Sequence, residues 1–141
     1  MLIAGGLPSS ASSVPESEPD MEMKIEHWPE KNILYLRTRG VMDKAAANAL
    51  VKDLVQAAAD TQCIRHLIDH RAVTFAFSLI DYYERPAINE AIGISLEWKT
   101  AMVFAESTSD TRFMETVFRN RGYNFREFTD IDQALEWLQQ D

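Results

Sequence analysis

Cysteine is almost absent from this chain of 141 residues, which carries only Cys63. A single thiol excludes an internal disulfide and any cysteine-rich metal site. Cys63 opens an apolar-leaning strand segment, so it reads first as an inert core side chain and second as a reactive thiol. Glycine is sparse and scattered, at positions 5, 6, 40, 93 and 122, which leaves no glycine-rich loop to cradle a phosphate. Long hydrophobic runs are missing, and no stretch approaches the ~20 apolar residues of a membrane span. The opening "MLIAGGLPSSASS" has no basic residue and too short an apolar part for a secretory signal, so a cytoplasmic protein is expected. Positive charge is in deficit, with 14 Lys and Arg against 22 Asp and Glu. A body of this sign lacks the basic footprint that nucleic acid or an anionic membrane demands.

What is present is one domain's worth of regular pattern. Residues 1–22, rich in Ser, Pro and acid, show no periodicity and contain no Lys or Arg. Such a segment cannot bury enough apolar surface to offset its ordering entropy. It is expected to be a disordered tail or the product of a misassigned start, with a single domain over 23–141. There, alternation at Met23, Ile25 and His27, the "WPEKN" turn and "ILYLRTRG" predict a hairpin. Asp43 is placed to cap a helix whose apolar face holds Ala47, Leu50, Val51, Leu54, Val55 and Ala58. "CIRHLID" predicts a short strand, and Ser78 to Glu84 a helix start. Pro86 is expected to kink that helix or open a second one. "KTAMVFA" predicts a buried strand. Ser107, Ser109 and Asp110 offer caps for a helix carrying Phe113, Met114, Val117 and Phe118, ended by Gly122. "YNFREF" and a helix begun by Thr129, Asp130 and Asp132 close the pattern. The order ββαβαβαβα calls for an α/β fold, a mixed sheet flanked by helices.

Chemistry is thin. His66 and His70 form an HxxxH, but on a strand four residues span ~13 Å. One ion with ligands at ~2 Å cannot join them, so no metal is expected. No Ser-His-Asp set has nucleophile-elbow glycines. Asp69, His70 and Arg71 are the one dense polar cluster, and nothing local splits the pKa values of Asp69 and Asp81 for acid–base work. The chain is therefore expected not to be an enzyme and to need no cofactor. Ser78 with Asp81 three residues on makes a capping-box-like S-x-x-D. Tyr82, Tyr83 and Trp98 surround the second helix as core or as a binding surface, and adjacent Tyr82 and Tyr83 cannot share one helix face.

Three stretches carry a resemblance: "HLIDHRAV", "TAMVFAESTSDTRFMETVF" and "YNFREFTDIDQALEWLQ". With the element order they resemble the STAS domain in its SpoIIAA-like branch of small bacterial proteins. In phosphorylated members the switch serine follows an aspartate and precedes a glycine, and alignment places Ser78 at that serine. Phe77 stands in the aspartate's place, and neither Leu79 nor Ile80 is a glycine. The resemblance implies a regulatory protein that binds a protein partner, with Asp69, His70, Ser78, Tyr82 and Tyr83 as the partner or ligand surface. It implies two alternatives: a carrier of a small apolar, lipid-like ligand in a groove beside a Pro86-broken helix, and a phospho-regulated switch at Ser78.

Overall fold

The computed structural model describes residues 21–140. The expected tail over residues 1–20 lies outside them. Strand β1 (Met21–Trp28) runs antiparallel to β2 (Ile33–Met42), with Trp28 opposite Ile33 and Met21 opposite Gly40. Met21 and Glu22, assigned to the tail on composition, are thus the first two residues of the strand. Helix α1 (Lys44–Thr61) leads to β3 (Arg65–Phe75), α2 (Leu79–Ile92) to β4 (Lys99–Val103), and α3 (Ser109–Asn120) to β5 (Asn124–Phe128). Helix α4 (Ile131–Leu138) closes the order. The sheet runs β1-β2-β3-β4-β5, with parallel pairs from β2 onward. The order is the one the sequence pattern implies.

Side chains alternate across this sheet, and two cores result. On one face Leu34, Leu36, Ile68 and Met102 meet Leu50, Val51 and Leu54 of α1 and Met114, Val117 and Phe118 of α3. On the other, Ile33, Leu67, Ala101 and Val103 meet Ala134 and Leu138 of α4. Parallel strands joined in spatial sequence by crossovers of one hand put α1, α2 and α3 on the same side. Among the described residues only α4 covers the opposite side. Helix α2 packs on its neighbours α1 and α3 and has little contact with the sheet beneath it.

Helix ends follow local chemistry. Asp43 Oδ1 accepts from Ala46 N at 2.8 Å, and Asp130 Oδ1 accepts from Asp132 and Gln133 amides. The cap of α3 is Thr108, not the flanking Ser107, Ser109 or Asp110, because Thr108 and Thr111 exchange side-chain and backbone bonds. Two expectations need correction. Strand β3 does not stop after Asp69 but continues to Phe75, since β2 offers partners beyond a bulge, pairing Arg39 with Ala72 and Met42 with Phe75. Nor is α2 broken at Pro86. The ring removes one donor from the helix ladder. Buried Tyr82, Arg85, Pro86 and Asn89 hold the turns on either side against the core, and the helix continues to Ile92.

Candidate functional site

The segment from Asp69 to Asn89 crosses both faces of the sheet. Asp69 is buried on the α4 side, in register with Arg37 of β2 and Val103 of β4. Its oxygens accept from Tyr35 Oη (3.1 Å), Arg71 N (3.1 Å), Arg71 Nε (2.9 Å) and Arg71 Nη2 (2.8 Å). Burial pushes the Asp69 carboxyl up, but the Arg71 bonds and charge outweigh it and hold it below the usual range. Tyr35 responds oppositely, its phenol raised by burial and then by the Asp69 charge. Both Asp69 oxygens are engaged, so this cluster is closed on itself. With Arg37, Thr38 and Ala72 it lines an open polar groove of about 440 Å³.

His70, the next residue, faces the other side. Thr38 Oγ1 donates to the Asp69 carbonyl at 2.9 Å, which leaves it to accept from His70 Nδ1–H at 2.6 Å. The imidazole sits edge-on to Phe75, with ring centroids 5.4 Å apart. Four residues earlier, His66 Nε2–H donates to the Cys63 carbonyl at 2.8 Å, while its Nδ1 is buried without a partner. Burial pushes both imidazoles down to about 4, and the bond to Cys63 and the charge of Asp69 respectively resist it. Both rings are neutral at pH 7. Among the described residues no group of His, Cys, Asp and Glu is arranged to hold a metal. No described helix is long and apolar enough to cross a membrane.

Helix α2 begins with a complete capping box. Ser78 Oγ accepts from Asp81 N at 3.3 Å and Asp81 Oδ2 accepts from Ser78 N at 2.9 Å. The Ser78 bond, opposed by burial and helped by Lys44 at 3.8 Å, keeps the Asp81 carboxyl low. The adjacent tyrosines part as helix geometry requires: Tyr82 is buried against Phe75 and Phe77, and Tyr83 is 63% exposed. Leu79 (64%) and Ile80 (57%) are exposed beside it. These three make one apolar patch on the first turns of α2, next to the exposed Ser78 hydroxyl.

Beneath α2, where the helix stands away from the sheet, two adjacent cavities of about 70 and 50 Å³ open. Leu50, Val51, Asn89, Met102 and Phe118 wall both. The smaller one is also lined by His70 and Arg85. Arg85 is only 4% exposed. Its Nε donates to Asn89 Oδ1 at 2.9 Å and its Nη2 to Asn48 Oδ1. Among the described residues no carboxylate forms an ion pair with it.

The five residues expected to form one surface are therefore divided. Ser78 and Tyr83 are exposed together on α2. Tyr82 and His70 are buried below that helix, and Asp69 is buried across the sheet. Sequence reasoning missed Leu79, Ile80 and the Arg85–Asn89–Asn48 group. The buried face of α2 recurs at 82, 85–86 and 89, so a charged residue at 85 inside that stripe was the available signal.

Sheet order and helix placement define a STAS-like fold of the SpoIIAA-like type. Among solved structures, an anti-sigma factor antagonist from Mycobacterium paratuberculosis is similar with a TM-score of 0.59, at 19% identity, over 88% of this chain and 99% of that one. An uncharacterised protein with a SpoIIAA-like fold from Shewanella loihica gives 0.56 at 19% identity, over 89% and 99%. The anti-sigma factor antagonist SpoIIAA in its unphosphorylated form gives 0.50 at 12% identity, over 85% and 100%. No protein-family model matches the chain. Comparison with curated proteins found no match either.

Proposed function

We propose that this chain is a non-enzymatic cytoplasmic regulatory protein that binds a protein partner through the first turns of α2. The observation that carries this reading is the exposed apolar patch of Leu79, Ile80 and Tyr83. Large apolar side chains held in water on a rigid helix gain ~1.5–3 kcal/mol each on full burial, which is the usual energy source of an interface centre. Two of the similar structures are anti-sigma factor antagonists by description, which favours a partner that is itself a protein. The closed Asp69–Arg71–Tyr35 cluster supports a non-catalytic role, since no carboxylate oxygen there is left to take a substrate proton. The test is affinity capture with wild type and a Leu79→Ser/Ile80→Ser/Tyr83→Ser variant of equal thermal stability. A partner retained by wild type and lost by the variant supports the reading. A partner held equally by both, or none at all, overturns it.

Two further readings have their own observations. The exposed Ser78 hydroxyl at the N-terminus of α2 favours a phosphate electrostatically and borders the patch, so phosphorylation there would regulate the same contact. Phe77 and Leu79 flank it in place of the aspartate and glycine of the related switch motif. Mass spectrometry of the protein isolated from its own cells, finding no phosphate on Ser78 under any growth condition, would remove this reading. The cavities under α2 support a carrier of a small apolar ligand. Native mass spectrometry of the freshly purified protein tests it through an added mass.

A further inference from the structure

We infer that the space beneath α2 is a binding site for a small amphipathic carboxylate, its head paired with Arg85 and its tail lying among Leu50, Val51, Met102 and Phe118. This rests on the carrier reading and specifies its ligand. An arginine is never deprotonated in a protein, so Arg85 carries its charge into the interior. Burying a cation without a counter-ion costs several kcal/mol. Its hydrogen-bond partners are two neutral amide oxygens, of Asn48 and Asn89, which take Nη2 and Nε. The Asp81 carboxylate one turn earlier on α2 offsets the burial only in part, without an ion pair. Nη1 makes no hydrogen bond among the described residues, and the side chain lines the smaller cavity. The planar fork of a guanidinium matches a carboxylate. Asn48 and Asn89 hold that fork in place, and one anionic charge completes the site.

Size and charge narrow the occupant further. The two cavities, about 70 and 50 Å³, together fall short of the ~150 Å³ that accommodates benzene. That admits a carboxylate with a tail of a few carbons and excludes a full-length lipid. A single buried cation balances one negative charge, which favours a monocarboxylate over a phosphate monoester bearing about −1.5 to −2. The walls of the larger cavity are mostly hydrocarbon, so the tail is a short aliphatic chain.

Propionate and 1-propanol, equal in chain length, different in charge and each smaller than benzene, are the probes, titrated into the full chain. Binding is read by calorimetry and by the methyl NMR signals of Met42, Met102 and Met114, which line the Arg85 cavity. Propionate is expected to shift those signals and to bind about tenfold or more tightly than propanol. Arg85→Met is expected to erase that preference while propanol binding persists. Arg85→Lys, which keeps a cation, retains a preference for propionate should the methionine variant not fold. Equal affinity of wild type for the two probes, or propionate binding that moves none of the three methyls, overturns the Arg85 assignment and leaves the apolar-carrier reading standing. Failure of both probes to bind overturns both.

Discussion

Lowering the pH from 7 to 5 should cost this fold about 4 kcal/mol through His66 and His70. Each imidazole is pushed from 6.5 to about 4, chiefly by burial. The geometry explains why neither accepts a proton readily. Protonated His66 would place a second N–H at Nδ1, where no acceptor lies. Protonated His70 would bring a cation into the cavity that Arg85 already lines, against which the neighbouring Asp69 charge is only a partial offset. The unfolded chain binds protons from about pH 6.5 downward, while the native protein stays neutral until about 4. Between those values the unfolded state holds more protons, so stability falls as pH falls and levels off below about 4. At ~1.36 kcal/mol per unit, pH 5 lies about 1.5 units into the window, or about 2 kcal/mol for each histidine. The depressed carboxyls of Asp69 and Asp81 are lost at still lower pH, below their ordinary 3.8. Against a typical domain stability of ~5–15 kcal/mol the histidine effect is large. Urea unfolding followed by tryptophan fluorescence, at fixed ionic strength across this range, measures it. Equal stability at pH 7 and 5, or His66 and His70 resonances titrating near 6.5 in the folded protein, would refute the reasoning.

Three substitutions probe other parts of the frame. Ser78→Ala removes half of the α2 capping box and should cost about 1 kcal/mol in denaturant unfolding. Gly93→Ala should cost about 1 kcal/mol or more in the same assay. Gly93 sits at φ +134°, and an added Cβ would stand 3.3 Å from Val55 Cγ1. Asp69→Asn should lower stability by about 1–3 kcal/mol, the scale of a charged hydrogen-bond acceptor lost from a buried site. It should also lower the ionisation pH of Tyr35, whose phenol Asp69 helps to raise, as followed by NMR of that ring.

Much of the architecture was legible because it is written in short-range terms. The S-x-x-D at Ser78 and the Asp43 cap need only the residues around them, and each does what its spacing requires. The stripes of α1 and α3 likewise report their buried faces. The errors arose where a distant partner decides. Strand β3 outlasts its apolar run because β2 supplies a ladder past the bulge at Arg37 and Arg39. Pro86 stays inside a helix because the core on its buried face outweighs one missing bond. Asp69 and His70 were grouped as neighbours in sequence, yet a strand sends neighbours to opposite sides of the sheet. Arg85 was overlooked because a charge on a helix is ordinarily solvated, and only the third dimension puts α1's Asn48 beside it.

Because α2 rests on two helices more than on the sheet, it is joined to the molecule by contacts that can be broken without disturbing a single strand pairing. Opening of that kind is a sub-global event, with a free energy below that of complete unfolding. Amides of α2 should then exchange with solvent deuterium ahead of those in the central part of β3, which is bonded on both edges. The helix that carries the exposed patch is also the roof of the cavity. A partner gripping Tyr83 and a small molecule lodged against Arg85 would therefore act on one movable part, and whichever holds the roof down changes the affinity of the other.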